Sequence, residues 1–156
     1  MAEVKESIEV NVPVSTAYNQ WTQFEEFPQF MDNVESVRQL DDAHLRWVAE
    51  IGGKQEEWTS EITHQASDSR IAWRSTEGKQ NSGDVRFESL GADRTRIEVI
   101  FGWEPEGLLE AAGDKLGLAE GGVKTDLERF KELIERRGAE SGAWRGEVVE
   151  GQRVDY

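Results

Sequence analysis

Three side chains have types and positions that could carry chemistry. Ser60 and His64 fall in phase with Trp58 and Ile62 on an alternating stretch, and Tyr18 follows the strand-ending Pro13. Of the three, His64 exchanges protons nearest neutral pH. The hydroxyls of Ser60 and Tyr18 can donate to or accept from a ligand oxygen. No carboxylate stands at a spacing that would orient His64, so the three are candidates only and no catalytic residue is assigned. Arg74 lies in the opposite phase to Trp73 and Ser75 and is expected to face solvent. His44 and His64 are the only histidines, and the chain has no cysteine. No thiolate nucleophile or disulfide is possible, no ligand spacing points to a metal, and no cofactor is expected.

The stronger signal is aromatic. Trp21, Phe24, Phe27 and Phe30 fall on short helical segments, and Trp47, Trp58, Trp73, Phe87, Phe101 and Trp103 fall on strands. Large flat side chains make rigid apolar walls, and an indole N–H can hold a polar atom of a ligand. Any one of them alone reads as core. As a set they predict a pocket lined by Trp21, Phe27, Phe30, Met31, Val34, Trp47, Trp58, Ile62, Trp73, Phe87, Phe101 and Trp103, closed by Ala112 and Leu116 of a C-terminal helix.

The elements that must position these residues change period near Pro105. Residues 5–12 alternate as a half-buried strand, with Ile8, Val10 and Val12 on one face. Ser15 is a plausible N-cap for a short helix over 16–21. Phe24, Phe27, Phe30 and Met31 follow at helical spacing around Pro28, which separates a first helix from a second short one. Six strands follow, from Val34 to Trp103, with turn signals at Gly52-Gly53, Asp68-Ser69 and Gly91-Ala92-Asp93 and a longer polar loop over 78–83. Residues 106–137 then carry an apolar stripe at steps of three and four: Leu109, Ala112, Leu116, Ala119, Val123, Leu127, Phe130 and Ile134. Glycines at 113, 117, 121 and 122 predict a kink or break in this helix. Thr125 to Glu128 has the form of a capping box, so a restart is possible there. Residues 138–156 are polar and weakly patterned, and predict a mobile tail; docking of Trp144 and the Val148-Val149 pair is the lesser alternative.

The 156 residues suit one domain with a core of its own. The formal net charge is −14, with 32 acidic and 18 basic side chains. That balance disfavours nucleic acid and anionic lipid surfaces as partners. No apolar run is long enough for membrane insertion, and the first ten residues lack the apolar stretch of a signal peptide. A cytoplasmic location is expected. Oligomeric state is not legible.

The order of elements resembles the helix-grip fold of the START-like (SRPBCC) superfamily over residues 3–137. Val12-Pro13-Val14-Ser15-Thr16-Ala17-Tyr18, with Trp21 and the segment from Phe24 to Phe30, is similar to the opening of the polyketide cyclase/dehydrase family. Trp58, the Ile71 to Ser75 string and the Gly83 to Phe87 string follow the same family's pattern, and Asp126 to Lys131 resembles the closing helix of a bacterial branch. The resemblance implies an α+β domain over 1–137, followed by the tail. Its curved antiparallel sheet of about seven strands wraps around the long C-terminal helix, with two short helices after strand 1. One helix cannot cover such a sheet's concave face, so a cavity is expected.

The resemblance implies function only broadly, because the fold hosts cyclases, lipid and quinone carriers and receptors. Aromatase/cyclases of the family use an arginine and a tyrosine in the cavity. By ungapped matching those positions are Ile62 and Val34 here, both apolar, which weighs against a cyclase. Three readings stay open. The preferred one is a binder or carrier of an apolar small molecule such as a polyketide, lipid or quinone. The second is an aromatase/cyclase or dehydratase acting on a polyketide intermediate. The third is a structural or stress-related domain with a filled cavity.

Overall fold

The computed structural model describes residues 2–51, 53–78, 80–103 and 120–154. The chain begins with β1 (Ala2–Val10), α1 (Val14–Trp21) and a 3₁₀ helix (Phe24–Gln29). It then meanders through β2 (Val34–Asp41), β3 (His44–Ile51), β4 (Lys54–Ala66), β5 (Arg70–Gly78), β6 (Asn81–Gly91) and β7 (Arg94–Trp103). A helix, α2 (Glu120–Arg137), and two short strands, β8 (Glu147–Val149) and β9 (Gln152–Val154), follow.

The sheet runs in the order β1-β7-β6-β5-β4-β3-β2, with every pair antiparallel. Within the path from β1 to β7 only one connection is long-range. After β1 the chain crosses to the far edge through α1 and the 3₁₀ helix. It then returns strand by strand until β7 pairs with β1, from Ala2 opposite Trp103 to Val10 opposite Thr95. The crossing helices and α2 therefore cover the same face of the sheet.

Alternation sets which face is covered. Leu45, Trp47 and Ala49 of β3 are buried, as are Trp58, Ser60 and Ile62 of β4 and Ile71, Trp73 and Ser75 of β5. On α2, Leu127, Phe130 and Ile134 are buried at steps of three and four, while Glu128 and Glu132 face water. Burying side chains of this size stabilises by about 1.5–3 kcal/mol each. Trp21 ties the layers together. Its ring meets Phe130 of α2 at 4.8 Å, Phe27 and Phe30 at 5.8 and 5.6 Å, and Phe87 of β6 at 6.3 Å.

Several expectations are corrected. Pro13, not Ser15, occupies the N-cap of α1, and no side chain caps it; the Pro13 carbonyl accepts from Ala17 N at 3.1 Å. Pro28 does not divide two helices but lies within the 3₁₀ helix. The loop expected over 78–83 is shorter than that, since β5 runs through Gly78 and β6 starts at Asn81. No restart occurs at Thr125, because α2 is continuous from Glu120. The stripe from Leu109 to Ala119, the glycines at 113 and 117 and Gly52 lie outside the described residues.

Residues 138–154, read from the sequence as a polar tail, carry β8 and β9 and pack on α1 and β4. α2 ends at Gly138, whose φ of +74° is a left-handed conformation that glycine adopts readily and whose N–H donates to the Ile134 carbonyl at 2.8 Å. The chain then runs back over α1. Ser141 N donates to Gln20 Oε1 at 2.8 Å, Trp144 N to Thr22 Oγ1 at 3.1 Å, and Arg145 Nη1 to Asn19 Oδ1 at 2.6 Å. The β8–β9 hairpin pairs with β4 at His64 and Gln65, beyond the end of β3, and brings the strand count to nine. An open stretch of sheet edge is thereby covered, and Val148 is buried beneath it with 1 % of its surface exposed.

Candidate functional site: an indole-walled cavity under the C-terminal helix

The concave face retains a cavity of about 100 Å³ between the sheet and α2. Its most ordered wall is a row of three indoles. Trp47 and Trp58 are direct cross-strand partners, and their rings stack at 5.7 Å and 13°. Trp73, one strand further, also stacks on Trp47, at 5.9 Å and 27°. The period-2 alternation of adjacent strands places all three on one face. Two small residues make room for the row. A Cβ on Gly83, opposite Trp73, would come within 2.4 Å of the Trp73 ring. Gly78, opposite Trp58, would bring a Cβ within 2.4 Å of the Glu57 carbonyl.

Of the residues expected at the pocket, Trp21, Met31, Val34, Trp47, Trp58, Trp73 and Phe101 line the cavity together. Phe27, Phe30, Ile62, Phe87 and Trp103 do not; all five are buried core. Phe27 and Phe30 pack on Trp21 instead, and Phe87 on Tyr18 and Trp21. Ala112 and Leu116 lie outside the described residues.

The three polar candidates do not converge on the cavity. Ser60 is fully buried and accepts the Trp47 indole N–H at 2.8 Å, so it orients the central indole. His64 is turned away by a β-bulge. The β4–β5 register slips between Ile62 and His64, which leaves Thr63 as an extra residue and reverses the alternation. Gln65, opposite Ile71, takes the buried phase, and His64 pairs with Ala72 and with Val149 of β8. Tyr18 packs edge-on to Phe87 at 5.4 Å, with the Arg145 guanidinium 5.6 Å above its ring. Burial pushes its pKa up, against the lowering influence of Gln65, Ser67 and Arg145. Arg74 is exposed, as its phase predicts.

The residue that sequence reasoning missed is Asp126. It lines the cavity from α2 beside Val123 and Leu127. Burial alone pushes its carboxyl pKa up to about 7. The signal was present: Val123, Asp126, Leu127 and Phe130 follow the i, i+3, i+4, i+7 spacing of one helix face, which puts an acid on an apolar stripe. Asn33, Ala49 and Val99 also line the cavity. Ala49 shares the phase of Trp47, and Val99 that of Phe101. Among the described residues that line the cavity, Asp126 is the only ionisable group. Its chemistry is therefore set by an apolar surround: a carboxyl that gains or loses a proton near neutral pH, facing a wall of indoles.

A curved antiparallel sheet gripping one C-terminal helix across an aromatic cavity is the START-like, helix-grip arrangement. A family model described as polyketide cyclase / dehydrase and lipid transport matches residues 10–132, and the chain belongs to that family. An uncharacterized 17.2 kDa protein from the melC2-rnhH intergenic region of Streptomyces lincolnensis is 48 % identical over 150 residues, 96 % of this chain and 100 % of that protein. Solved structures share the fold, among them the following two. One is a START superfamily protein from Mycobacterium smegmatis, with TM-score 0.71 and 17 % identity over 86 % of this chain and 98 % of that one. The other is the Zhui aromatase/cyclase of a Streptomyces species, with TM-score 0.72 and 19 % identity over 92 % of this chain and 99 % of that one. No helix among the described residues is long and apolar enough to cross a membrane.

Proposed function

We propose that this protein binds an apolar small molecule, polyketide-, lipid- or quinone-like, between the Trp47–Trp58–Trp73 row and α2, acting as a binder or carrier in the cytoplasm. The observation that carries this reading is the unfilled, indole-walled cavity of about 100 Å³. A dry cavity on the order of 150 Å³ suffices to bind benzene. The space is somewhat smaller than that, so seating a ring-sized portion of a ligand requires the lining side chains to give way. The family description, which names both cyclisation and lipid transport, supports a hydrophobic ligand.

Asp126 favours a second reading, an aromatase/cyclase or dehydratase. A carboxyl with a pKa of about 7 suits proton transfer beside a bound carbonyl.

Native mass spectrometry of protein from its own host, followed by denaturing extraction, tests the primary proposal. A stoichiometric apolar passenger that is lost on Trp58→Ala supports it. No passenger, together with no binding of an apolar fluorescent probe, defeats it. Turnover of an extracted polyketide that stops in Asp126→Asn would move the assignment to the second reading.

A further inference from the structure

We propose that the ligand of this cavity carries a basic nitrogen, so that an aromatic or alicyclic amine sits against the indole row with its ammonium group held by Asp126. This rests on the ligand-binding reading above. Three observations lead to it.

The first is that, among the described residues, Asp126 has no counter-ion. Among the described residues no side chain pairs with it, whereas other partly buried acids are paired: Asp84 meets Arg70 at 2.8 Å, Glu135 meets Lys131 at 2.7 Å and Asp68 meets Arg145 at 2.8 Å. An ionised carboxylate left alone in an apolar surround is costly, and an incoming cation offsets that cost. The second is that none of the other described residues lining the cavity carries a charge. The residues facing it from the segment before β2 and from β2, β3, β4, β5 and β7 are apolar or, at Asn33, neutral. On its own helix Lys124 and Glu128 are exposed. Arg129 is committed to Asp32. The third is the wall itself. Indole rings attract cations through their π-faces, and a chain of net charge −14 concentrates cations near its surface. A neutral ligand would use the apolar wall but leave the carboxylate uncompensated.

The experiment is a titration of the full chain, followed by tryptophan fluorescence, with benzylamine and with its uncharged counterpart benzyl alcohol, at about pH 5.5 and about pH 8.5. Benzylamine is a cation at both values, whereas Asp126 changes from mostly protonated to mostly ionised. The amine is expected to bind about tenfold more tightly at the higher pH, and to lose that gain in Asp126→Asn. The alcohol is expected to show neither effect. If the alcohol binds and the amine gains nothing from ionisation of Asp126, the amine proposal is overturned and apolar-ligand binding stands. If neither compound binds, both readings fall.

A direct titration of the Asp126 carboxyl by NMR in the unaltered chain guards against a variant that does not fold. Saturating benzylamine is expected to lower its pKa by about one unit or more. An unchanged or raised value overturns the proposal.

Discussion

Trp47 donates its indole N–H to the Ser60 hydroxyl at 2.8 Å, across the β3–β4 pair, with both residues buried. This hydrogen bond locks the central indole of the three-ring row. It also explains why a serine lies in a phase otherwise filled by Trp58 and Ile62. Replacing Ser60 with Ala strands a buried donor and is expected to cost about 1–3 kcal/mol of stability. Urea unfolding measures this. A stability equal to that of the unaltered chain would remove Ser60 from its positioning role.

Gly83 faces Trp73 so closely that a Cβ would lie 2.4 Å from the ring. Gly83→Ala must push the indole out of line, at a cost of about 1–3 kcal/mol. Near-ultraviolet circular dichroism should report the loss of stacked-indole signal, because Trp73 leans on Trp47. Retention of both signal and stability would mean that the ring has room to shift.

Asp126 makes stability depend on pH in an unusual direction for an acid. Its pKa rises from 3.8 to about 7 on folding, so between those values the folded chain holds a proton that the unfolded chain has released. Its contribution is complete below the unfolded value and is lost as pH rises through the folded one. We expect the stability difference between Asp126→Asn and the unaltered chain to grow in favour of the variant by roughly 3 kcal/mol from about pH 4.5 to about pH 7.5. Paired denaturation curves at the two pH values check this; a constant difference would show that Asp126 titrates normally.

Val148 and Val149 are neighbours with opposite fates. Val148 is 1 % exposed and Val149 is 44 % exposed. Val148→Ala is expected to cost on the order of 2 kcal/mol and Val149→Ala less than about 0.5 kcal/mol. Thermal unfolding of the two variants distinguishes a docked hairpin from a loose end, for which both substitutions would be neutral.

Much of the architecture could be read from residue order because it follows from two periods. Alternation placed Trp47, Trp58 and Trp73 on one face, and steps of three and four placed Leu127, Phe130 and Ile134 on another. What escaped that reading has local physical causes. His64 was misplaced because a bulge at Thr63 reverses the phase, and pairing geometry of that kind leaves no trace in a period-2 pattern. The docking of residues 138–154 depends on an unpaired stretch of β4 and on polar groups of α1 more than a hundred positions earlier, such as Asn19 for Arg145. Phe27, Phe30 and Phe87 were assigned to the pocket because aromatic character does not distinguish a cavity wall from packing around Trp21. Asp126 was legible as an acid on an apolar stripe, but its capping-box context gave it a simpler explanation.

The pairing of β1 with β7 also governs how the molecule is made. Each link of the meander from β2 to β7 joins strands that are adjacent in the chain and can form by local hairpin closure. β1 is made before the meander yet cannot pair until β7 exists, because Ala2 waits for Trp103. Closing that long loop carries most of the entropy cost of the topology. Until it closes, β7 presents an open edge. The nascent chain is therefore most vulnerable to self-association after the meander has formed and before its own first strand returns to seal it.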